Sequence, residues 1–290
     1  MAVINSNSIL RIKNPSKKEF VELWKQYQPF LIEGVAEYWD ASKKWSNDYL
    51  LKQSGNNIIP VEFFTKTYLD NYNYVLHETY NNNKKMKLKE YIDILSEEND
   101  LQYYMNEVYL EKYFPELTGD INYPEYFSIK PSIVLWFGSF GKTTTLHFDE
   151  IHNIFAQIRG RKRVILFPPS NYLSFYPPLG ESGSYPHFSK INPLIPNLEL
   201  FPKFPWQDKI EVILNAGEML YIPPLWWHHV TGVDENISLS FWYDVKIKDF
   251  FQQKRFLSTT LNILPHLIRH SIRNSNSSLS VLKSIIQSIW

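Results

Sequence analysis

Two neighbouring residues, His147 and Asp149, have the types and the spacing to bind a metal ion. They stand in the segment TLHFD, residues 145–149, which alternates like a β-strand. Alternate residues of a strand point to one face, so the imidazole and the carboxylate project together. Downstream, YIPPLWWHH has a turn-then-strand pattern and ends in His228 and His229. One of these two histidines can supply a third ligand.

Two histidines and one carboxylate on one face of an octahedron leave three positions open, which is the arrangement of non-haem Fe(II) oxygenases. The open positions can accept a bidentate cosubstrate and O2. A His-x-Asp pair taken alone is weak evidence, because a lone histidine near tryptophan is more often a core residue. The joint pattern within one β-rich region favours a metal. Zinc and manganese stay open, because the order of metal affinities does not select iron.

A basic cluster, RGRKR at residues 159–163, follows the first ligand pair. Most such clusters simply cap a solvated hairpin. Strand alternation, however, places Lys162 on one face with Val164, away from Arg161 and Arg163. A buried lysine there could pair with the distal carboxylate of 2-oxoglutarate, a dianion that must be neutralised when it leaves water.

Short β-rich runs between about residues 100 and 245 are the elements that must position these side chains. Many short strands without intervening helical patterns favour a sandwich or a barrel. Gly160 falls between two runs and is typical of a tight hairpin. The insert 177–205 contains seven prolines, so regular structure is not expected there. The predicted strands are SIVLWFG, TTTLHFD, NIFAQI, KRVILFPP, IEVILN, EMLYIPP, HHVTGV and ISLSFWYDV.

Helical patterns flank the β-rich region on both sides. Near the N-terminus a capping-box sequence starts a predicted helix, and PFLIEGV at residues 29–35 predicts a buried strand. A second helix is predicted over about 87–98, after a polar run at 71–85 that predicts a surface loop or a hairpin. Residues 246–290 are helical in pattern, with an apolar face that should pack on the core or on a second subunit. We therefore predict a catalytic domain over residues 1–245, followed by a C-terminal helical region.

The composition excludes several classes of function. The chain of 290 residues carries 30 basic and 30 acidic side chains, so no net charge attracts nucleic acid or an anionic membrane. The sequence has no cysteine, which excludes disulfides, thiolate zinc sites and a cysteine nucleophile. It also lacks the ~18 uninterrupted apolar residues of a membrane span and the pattern of a signal peptide. We expect a cytoplasmic protein with no membrane partner.

At these residues the sequence resembles the JmjC/cupin-8 family, and most of all its factor-inhibiting-HIF asparaginyl hydroxylase branch. The resemblance runs through LHFDEIHNIFAQIRGRKRVILFPP, AGEMLYIPPLWWHHV and SLSFWYD, and upstream through PFLIEGVAEYWDASKKW. It covers roughly residues 10 to 245. The tRNA wybutosine hydroxylase is similar in the same blocks. The resemblance implies a fold that is mainly β with helices, built on a double-stranded β-helix, or jelly roll.

The resemblance also implies roles for individual residues. Fe(II) would be bound by His147, Asp149 and His228, the histidine that directly follows Trp227. The cosubstrate 2-oxoglutarate would contact the hydroxyl of Thr144, and the amide of Asn153 would lie near its 1-carboxylate. Lys162 and Tyr104 would bind its 5-carboxylate, and Trp242 would line the site.

Two residues depart from the asparaginyl hydroxylase pattern. Ser240 replaces an asparagine that stands two positions before Trp242, and Asn106 replaces a glutamine that helps to hold the target side chain. Asparagine specificity is therefore not carried over to this sequence. The histidines interpreted as structural are His152, His187 and His229.

The function implied is an Fe(II)- and 2-oxoglutarate-dependent dioxygenase that hydroxylates a side chain of a protein or peptide and releases succinate and CO2. The insert 177–205, as a groove, favours such a substrate. One alternative is a hydroxylase of RNA, of a small molecule or of a peptide natural product, and Arg159, Arg161 and Arg163 form a local basic patch. Another is a non-catalytic metal-binding cupin. C-terminal helices commonly form a dimer interface in this family, so we expect a homodimer through residues 246–290.

Overall fold

The computed structural model describes residues 8–65, 83–95, 101–122, 126, 130–179, 186–195, 197–245, 250 and 253–264. Within them the chain forms thirteen strands in two sheets, with short helices. This mainly-β architecture confirms the predicted fold class. The strands are β1 Leu10–Lys13, β2 Phe30–Glu33, β3 Ile58–Thr65, β4 Asn83–Lys87, β5 Leu101–Tyr109, β6 Ser132–Gly138, β7 Thr143–His147, β8 His152–Arg159, β9 Lys162–Phe167, β10 Ile210–Leu214, β11 Met219–Ile222, β12 Trp227–Gly232 and β13 Asn236–Tyr243.

Eight strands, β6 to β13, form the jelly-roll core. In the larger sheet β11, β8, β13 and β6 lie side by side, and the smaller sheet has the order β10, β9, β12, β7. Neighbouring strands within each set of four run antiparallel. Apart from the step from β9 to β10, each strand lies in the other sheet from the one before it, which is the winding of a double-stranded β-helix.

The turn at Gly160 links the two sheets, so the predicted hairpin is wrong. Strands β8 and β9 flank this glycine, but β8 pairs with β11 and β13, whereas β9 pairs with β10 and β12. The prediction of a tight turn is confirmed, since Gly160 has a φ of 66° and a Cβ there would collide with the backbone oxygen of Glu235. Strand-like runs on both sides of a turn do not reveal which sheet each run joins.

The larger sheet extends beyond the jelly roll on both sides. Strands β1 and β2 continue it from β11, and β5, β3 and β4 continue it from β6. The buried strand predicted at 29–35 is confirmed as β2. Strand β3 was not predicted, whereas the end of the predicted surface loop or hairpin, residues 83–85, lies in β4, which pairs antiparallel with β3. Strand β4, NKKMK, lies at the edge, where lysines discourage pairing with other chains and hide the usual apolar alternation.

The helices within residues 17–120 pack against the larger sheet through their buried residues. The N-terminal helix opens with the predicted capping box, in which the side chains of Ser16 and Glu19 each accept a hydrogen bond from the other's backbone. The helix predicted over 87–98 is confirmed for its described part. The α-helices are Lys17–Trp24, Asp40–Lys44, Asn47–Ser54, Leu88–Leu95 and Leu110–Tyr113, and the 3-10 helices are Ala36–Tyr38, Pro115–Asp120, Tyr172–Phe175, Trp206–Asp208 and Lys254–Phe256.

The described residues of the insert 177–205 contain no α-helix and no named strand, as the prolines predict. A short stretch of the insert nevertheless pairs with the end of β7. The amide of Phe148 donates to the carbonyl of His187 at 3.0 Å, and the amide of Ser189 donates to that of Leu146 at 2.9 Å. The insert therefore lies along the edge of the strand that carries the first candidate ligand.

The described C-terminal residues pack on the core, as their apolar pattern predicts. Residues 257–264 are helical, and Phe250, Phe256 and Ile263 belong to the buried cluster that contains the side chains of the smaller sheet. No helix in the described ranges is both long and apolar enough to cross a membrane.

Several predictions fall on residues outside the described part of the chain. These are residues 71–82 of the predicted polar loop or hairpin, and the predicted C-terminal helical region beyond residue 264. The domain boundary at residue 245, the homodimer and the cytoplasmic location stay predictions.

Candidate metal centre and active-site cavity

His147 is the last residue of β7, and Asp149 follows two residues later. Both side chains line a cavity, whereas Leu146, directly before His147, is buried in the core and Phe148 is buried and also lines the cavity. Nε2 of His147 lies 3.8 Å from Oδ1 of Asp149. The predicted alternation therefore places imidazole and carboxylate together, although the strand itself ends before the carboxylate.

His228 stands directly opposite His147 in the pairing of β12 with β7. Its Nε2 lies 3.6 Å from Oδ2 of Asp149, and the two imidazole rings are 4.1 Å apart between centroids. His229, the next residue of β12, is buried and does not line the cavity. The strand register thus distinguishes two histidines that residue types and spacing alone left equivalent.

Backbone carbonyl groups orient both imidazole rings through the same local contact. Nδ1 of His147 lies 2.7 Å from the carbonyl oxygen of Thr145, and Nδ1 of His228 lies 2.9 Å from that of Trp226. A carbonyl can only accept, so Nδ1 carries the hydrogen in both rings and each Nε2 keeps its lone pair. Contacts of this kind fix the tautomer and orientation of metal-binding histidines.

The three side chains fit a divalent metal ion. One ligand atom from each lies within 4.8 Å of the other two, and no other group of three candidate ligands with this spacing occurs in the described residues. Adjacent ligands bound at ~2.1 Å stand about 3 Å apart, so small side-chain movements suffice. Burial, and then the neighbouring His147, lower the pKa of His228 to about 4. The ring is therefore neutral, as a metal ligand must be.

Lys162 opens β9 and reaches the other end of the same cavity, where it is only 2% exposed. Its ammonium group donates to the hydroxyl of Tyr104 at 3.3 Å, and that hydroxyl is hydrogen-bonded to Thr144. Burial lowers the pKa of Lys162 to about 7, and no described carboxylate pairs with it. An isolated buried cation is costly, so this end of the cavity suits an anionic ligand.

Aromatic rings surround the ammonium group of Lys162. Its Nζ lies 5.1 Å from the ring centre of Phe155 and 5.9 Å from those of Tyr104 and Trp136, within cation–π range. The indole nitrogen of Trp136 donates to the hydroxyl of Ser240 at 3.0 Å, and this serine is fully buried. Ser240 therefore anchors one wall of the pocket.

The metal-ligand candidates and Lys162 share one cavity of about 480 Å³. This volume suits a small ligand together with part of a substrate. Oδ1 of Asn153, Oδ1 of Asn106 and Nε1 of Trp242 are buried there without a hydrogen-bond partner, which indicates polar groups for a ligand to satisfy. The cavity-lining residues that the sequence analysis had named for the site are Tyr104, Asn106, Thr144, His147, Asp149, Asn153, Lys162, His228, Ser240 and Trp242.

Two carboxylates that the sequence analysis missed, those of Glu107 and Glu150, also line the cavity. Glu107 lies in a β-bulge of β5 and has a φ of 53°, a value that residues other than glycine rarely adopt. Nearby, the carboxylate of Glu62 accepts from the amide of Asn106 at 2.8 Å, and burial raises the pKa of Glu62 to about 7. Neither composition nor alternation signals a bulge, so the sequence does not predict this acidic mouth of the cavity, which consists of Glu62, Glu107 and Glu150.

His187, which was interpreted as a structural residue, also lines the cavity. The pairing of the insert with β7 brings it there, and the neighbouring Phe188 stacks on His147 with 5.6 Å between centroids. By contrast, His152 stacks on Trp24 and hydrogen-bonds to the hydroxyl of Tyr221, in keeping with a structural role. Nothing in the irregular insert sequence signals the pairing that places His187.

The three arginines of the basic cluster each form an ion pair with an acidic side chain. Pairing of this kind leaves no excess of positive charge at these positions, which weakens the basis for a local RNA-binding patch. The pairs are Arg159 with Glu235 at 2.6 Å, Arg161 with Asp234 at 2.8 Å and Arg163 with Glu211 at 2.6 Å.

Fold and site together define a jelly-roll protein whose candidate metal centre is built from two histidines and one carboxylate. Residues 16–249 match the family described as the cupin-like domain. The chain belongs to this family, and JmjC-domain proteins are among its relatives.

Similar proteins carry different functional names. "Lysine-specific demethylase 8" of Xenopus tropicalis is 30% identical over 82% of this chain and 53% of its own length. "JmjC domain-containing protein D" of Dictyostelium discoideum is 32% identical over 82% of this chain and 57% of its own length. "tRNA wybutosine-synthesizing protein 5" of Mus musculus is 29% identical over 80% of this chain and 76% of its own length. The chain thus spans little more than half the length of the first two proteins.

Proposed function

We propose that the protein is an Fe(II)- and 2-oxoglutarate-dependent dioxygenase that hydroxylates a side chain of a protein or peptide, with release of succinate and CO2. One observation carries this proposal: a single cavity brings together the three metal-ligand candidates and a buried lysine without a counter-charge. A chelating dicarboxylate needs both features, one for each end. The membership in a family with JmjC relatives supports the same class of reaction.

The metal would be held by His147, Asp149 and His228. When bound, iron together with 2-oxoglutarate and O2 supplies the oxidising chemistry. The protein contributes the position of the reactants. The carbonyl groups of Thr145 and Trp226 keep both Nε2 atoms available as ligand atoms.

The cosubstrate would lie between the metal and Lys162. The ammonium group would pair with the distal carboxylate, and the hydroxyls of Tyr104 and Thr144 would donate to it. The amide of Asn153, whose Oδ1 has no partner, would serve the carboxylate nearer the metal. Phe155 and the other rings around Lys162 would exclude water from the ion pair.

A basic side chain, lysine or arginine, is the substrate that the acidic mouth supports best. Glu107 and Glu150 line the cavity, and Glu62 lies nearby with its carboxylate on Asn106. Burial raises the pKa of Glu62 and of Glu150 to about 7, so both carboxylates would be stabilised in their charged form by a neighbouring cation. The unsatisfied Oδ1 of Asn106 adds one more acceptor for N–H groups. The relatives named lysine-specific demethylases agree with a basic side chain.

The resemblance to asparaginyl hydroxylases does not extend to an asparagine substrate. Ser240 accepts a hydrogen bond from Trp136, and Asn106 donates to Glu62. Both departures from the pattern of that branch are thus engaged with other groups of the cavity wall. We therefore propose a target side chain other than asparagine.

Succinate formation tests the enzymatic proposal. Purified protein with Fe(II), 2-oxoglutarate and O2 is expected to form succinate slowly without substrate. His147→Ala and Lys162→Met should both abolish it, the first through the metal and the second through the cosubstrate. Succinate formation that is absent from the wild type, or unchanged in His147→Ala, would contradict the proposal and favour a non-catalytic metal-binding cupin.

Peptide libraries test the substrate. Peptides that differ only in a central lysine, arginine or asparagine are incubated with enzyme and 18-oxygen gas, and mass spectrometry detects a gained labelled oxygen. We expect labelling of the basic peptides and its loss in Glu107→Gln. The matched control is Glu22→Gln, on the exposed face of the N-terminal helix. Preferential labelling of the asparagine peptide would overturn the assignment to a basic side chain.

An RNA hydroxylase is the second candidate function. It is favoured by the match to the wybutosine-synthesizing proteins, which covers a larger share of their length. The acidic mouth and the paired arginines oppose it, because both would repel or fail to attract phosphates. Labelled oxygen found in a bulk tRNA fraction, and in none of the peptides, would favour this candidate.

A further inference from the structure

A strained turn precedes the third metal-ligand candidate. In the sequence Pro223-Pro224-Leu225-Trp226 the amide of Trp226 donates to the carbonyl of Pro223 at 3.3 Å, which closes a four-residue β-turn. Leu225 occupies the third position with a φ of 62°. A turn with proline second and a left-handed third residue is of type II, and that third position strongly favours glycine or asparagine. A leucine there keeps an unfavourable backbone conformation.

The amide of Leu225, which is not bonded within the turn, connects two segments that carry metal-ligand candidates. The backbone N–H of Leu225 donates to the carbonyl oxygen of Asp149 at 2.7 Å. One residue further on, the carbonyl of Trp226 accepts from Nδ1 of His228. The same turn therefore holds the backbone of the carboxylate ligand and the ring of a histidine ligand, which come from distant parts of the sequence.

Buried side chains keep the turn in its strained form. Leu225 is fully buried and belongs to the core cluster of the smaller sheet. The indole nitrogen of Trp226 donates to the carbonyl of Tyr27 at 3.0 Å, which ties the turn to the N-terminal region. Strain of this kind persists only where the surroundings over-determine the conformation, and it is commonly found at functional sites.

We propose that Leu225 is a positioning residue for the metal centre, whose left-handed turn amide sets the place of Asp149 relative to His147 and His228. The inference rests on the proposed metal site, and it concerns the backbone amide, to which neither motif nor residue type draws attention. Without that hydrogen bond, Asp149 follows the end of β7 with less restraint on its backbone. The carboxylate would then be less well placed for a metal, while the fold would remain.

A backbone ester provides the test. In the full chain, Leu225 is replaced by its α-hydroxy analogue, L-leucic acid, which keeps the side chain but removes the N–H. Binding of Co(II) alone is measured by its visible absorption. We expect the dissociation constant to rise by about tenfold or more, the effect of losing an outer contact of a metal ligand. The matched control is the corresponding ester at Val233, whose amide donates to Arg161 at 3.0 Å.

Two side-chain variants of Leu225 provide a second measurement if the ester does not fold. Leu225→Val places a β-branched residue at a positive φ and should weaken Co(II) binding, whereas the unbranched Leu225→Met should not. A change below about fivefold in the Leu225 ester, or an equal change in the Val233 ester, overturns the positioning role. If the wild type and His147→Ala bind Co(II) equally, the proposed metal site itself fails, and that result is distinct from the other two.

Discussion

The two ends of the cavity solve opposite problems. At the metal end, every candidate ligand is oriented by the protein itself: the carbonyls of Thr145 and Trp226 hold the histidine rings, and the amide of Leu225 holds the backbone of Asp149. At the other end, the ammonium group of Lys162 is buried among aromatic rings, with one hydroxyl as its hydrogen-bond partner. One end is satisfied before a ligand arrives, and the other is not.

The difference shows that the two ends of the cavity contribute differently to the stability of the fold and to ligand binding. Orientation by hydrogen bonds costs the folded state little, because the bonds are made with or without a metal. An unpaired buried charge destabilises the folded state until an anion arrives. Removal of a metal ligand should therefore affect binding alone, whereas removal of the lysine should weaken binding and strengthen the fold.

The largest effect should come from replacing the first of two adjacent histidines, His228 and His229. His228→Asn removes a metal-ligand candidate and should weaken Co(II) binding by at least about 100-fold, more than the loss of an outer contact would. His229→Asn removes a buried imidazole that does not line the cavity, and Co(II) binding should stay within about threefold of wild type. Titrations followed by visible absorption measure both. Equal losses of Co(II) affinity would mean that both histidines affect binding through the stability of the fold, and that His228 is not a metal ligand.

Lys162→Met should separate the two ends most clearly. We expect 2-oxoglutarate binding, measured by calorimetry, to weaken by at least about 100-fold, because unpairing a buried ion costs roughly 3–5 kcal/mol. In the absence of ligand the same variant should gain on the order of 2 kcal/mol in the free energy of unfolding at pH 7. Lys209→Met, at a more exposed lysine that is paired with Glu211, should show neither change. A less stable Lys162→Met protein would contradict the idea that this end of the cavity is strained.

Strand alternation was sufficient to predict two parts of this cavity, whereas the roles of Tyr104, Thr144, Asn153 and Trp242 came from the resemblance. The period of two placed His147 with Asp149, and put Lys162 on the face opposite to Arg161 and Arg163. Those predictions need only a strand and its two faces. The choice of His228 over His229 came from the resemblance, and the pairing of β12 with β7 gives the physical reason for it.

Features that depend on irregular backbone could not be predicted. The bulge that points Glu107 into the cavity, the left-handed Leu225 and the pairing that brings in His187 leave no periodic signal in the sequence. Leu225 even contradicts the usual preference for glycine, because packing overrides the local cost. The turn at Gly160 was predictable, but the sheet that each flanking strand joins depends on contacts distant in sequence.

The pH dependence of cosubstrate binding should be smaller than the effect of removing the lysine. The pKa of Lys162 in the free protein is lowered to about 7 from its ordinary 10.5, so the amine is mostly neutral at pH 8 to 9. Binding of a dianion requires the charged form, and each bound ligand should take up close to one proton there. Affinity should fall by up to about tenfold per pH unit above pH 7. Calorimetry in two buffers of different ionisation enthalpy measures the uptake.

The same shift predicts how stability depends on pH. Between about 7 and 10.5 the unfolded chain binds more protons at this lysine than the folded chain, so the contribution of Lys162 to stability rises with pH. Lys162→Met should lack this rise, and its cosubstrate binding, however weak, should lose the dependence on pH. A proton uptake near zero at pH 8.5 would show that the lysine is charged before the ligand binds. The protein would then stabilise the cation by itself, and the proposed difference between the two ends of the cavity would be wrong.

The smallest effect tests whether a neutral hydrogen bond supports the charged end. Ser240→Ala removes the acceptor for the indole of Trp136, one of the rings around Lys162. The loss of one such bond costs about 0.5–1.5 kcal/mol, so 2-oxoglutarate should bind roughly two- to tenfold more weakly. Ser240→Thr keeps the hydroxyl and should recover most of the affinity, and Co(II) binding should not change in either variant. If Ser240→Ala weakened Co(II) as much as 2-oxoglutarate, the aromatic wall would belong to the metal end too, since the indole would then be orienting both halves of the cavity.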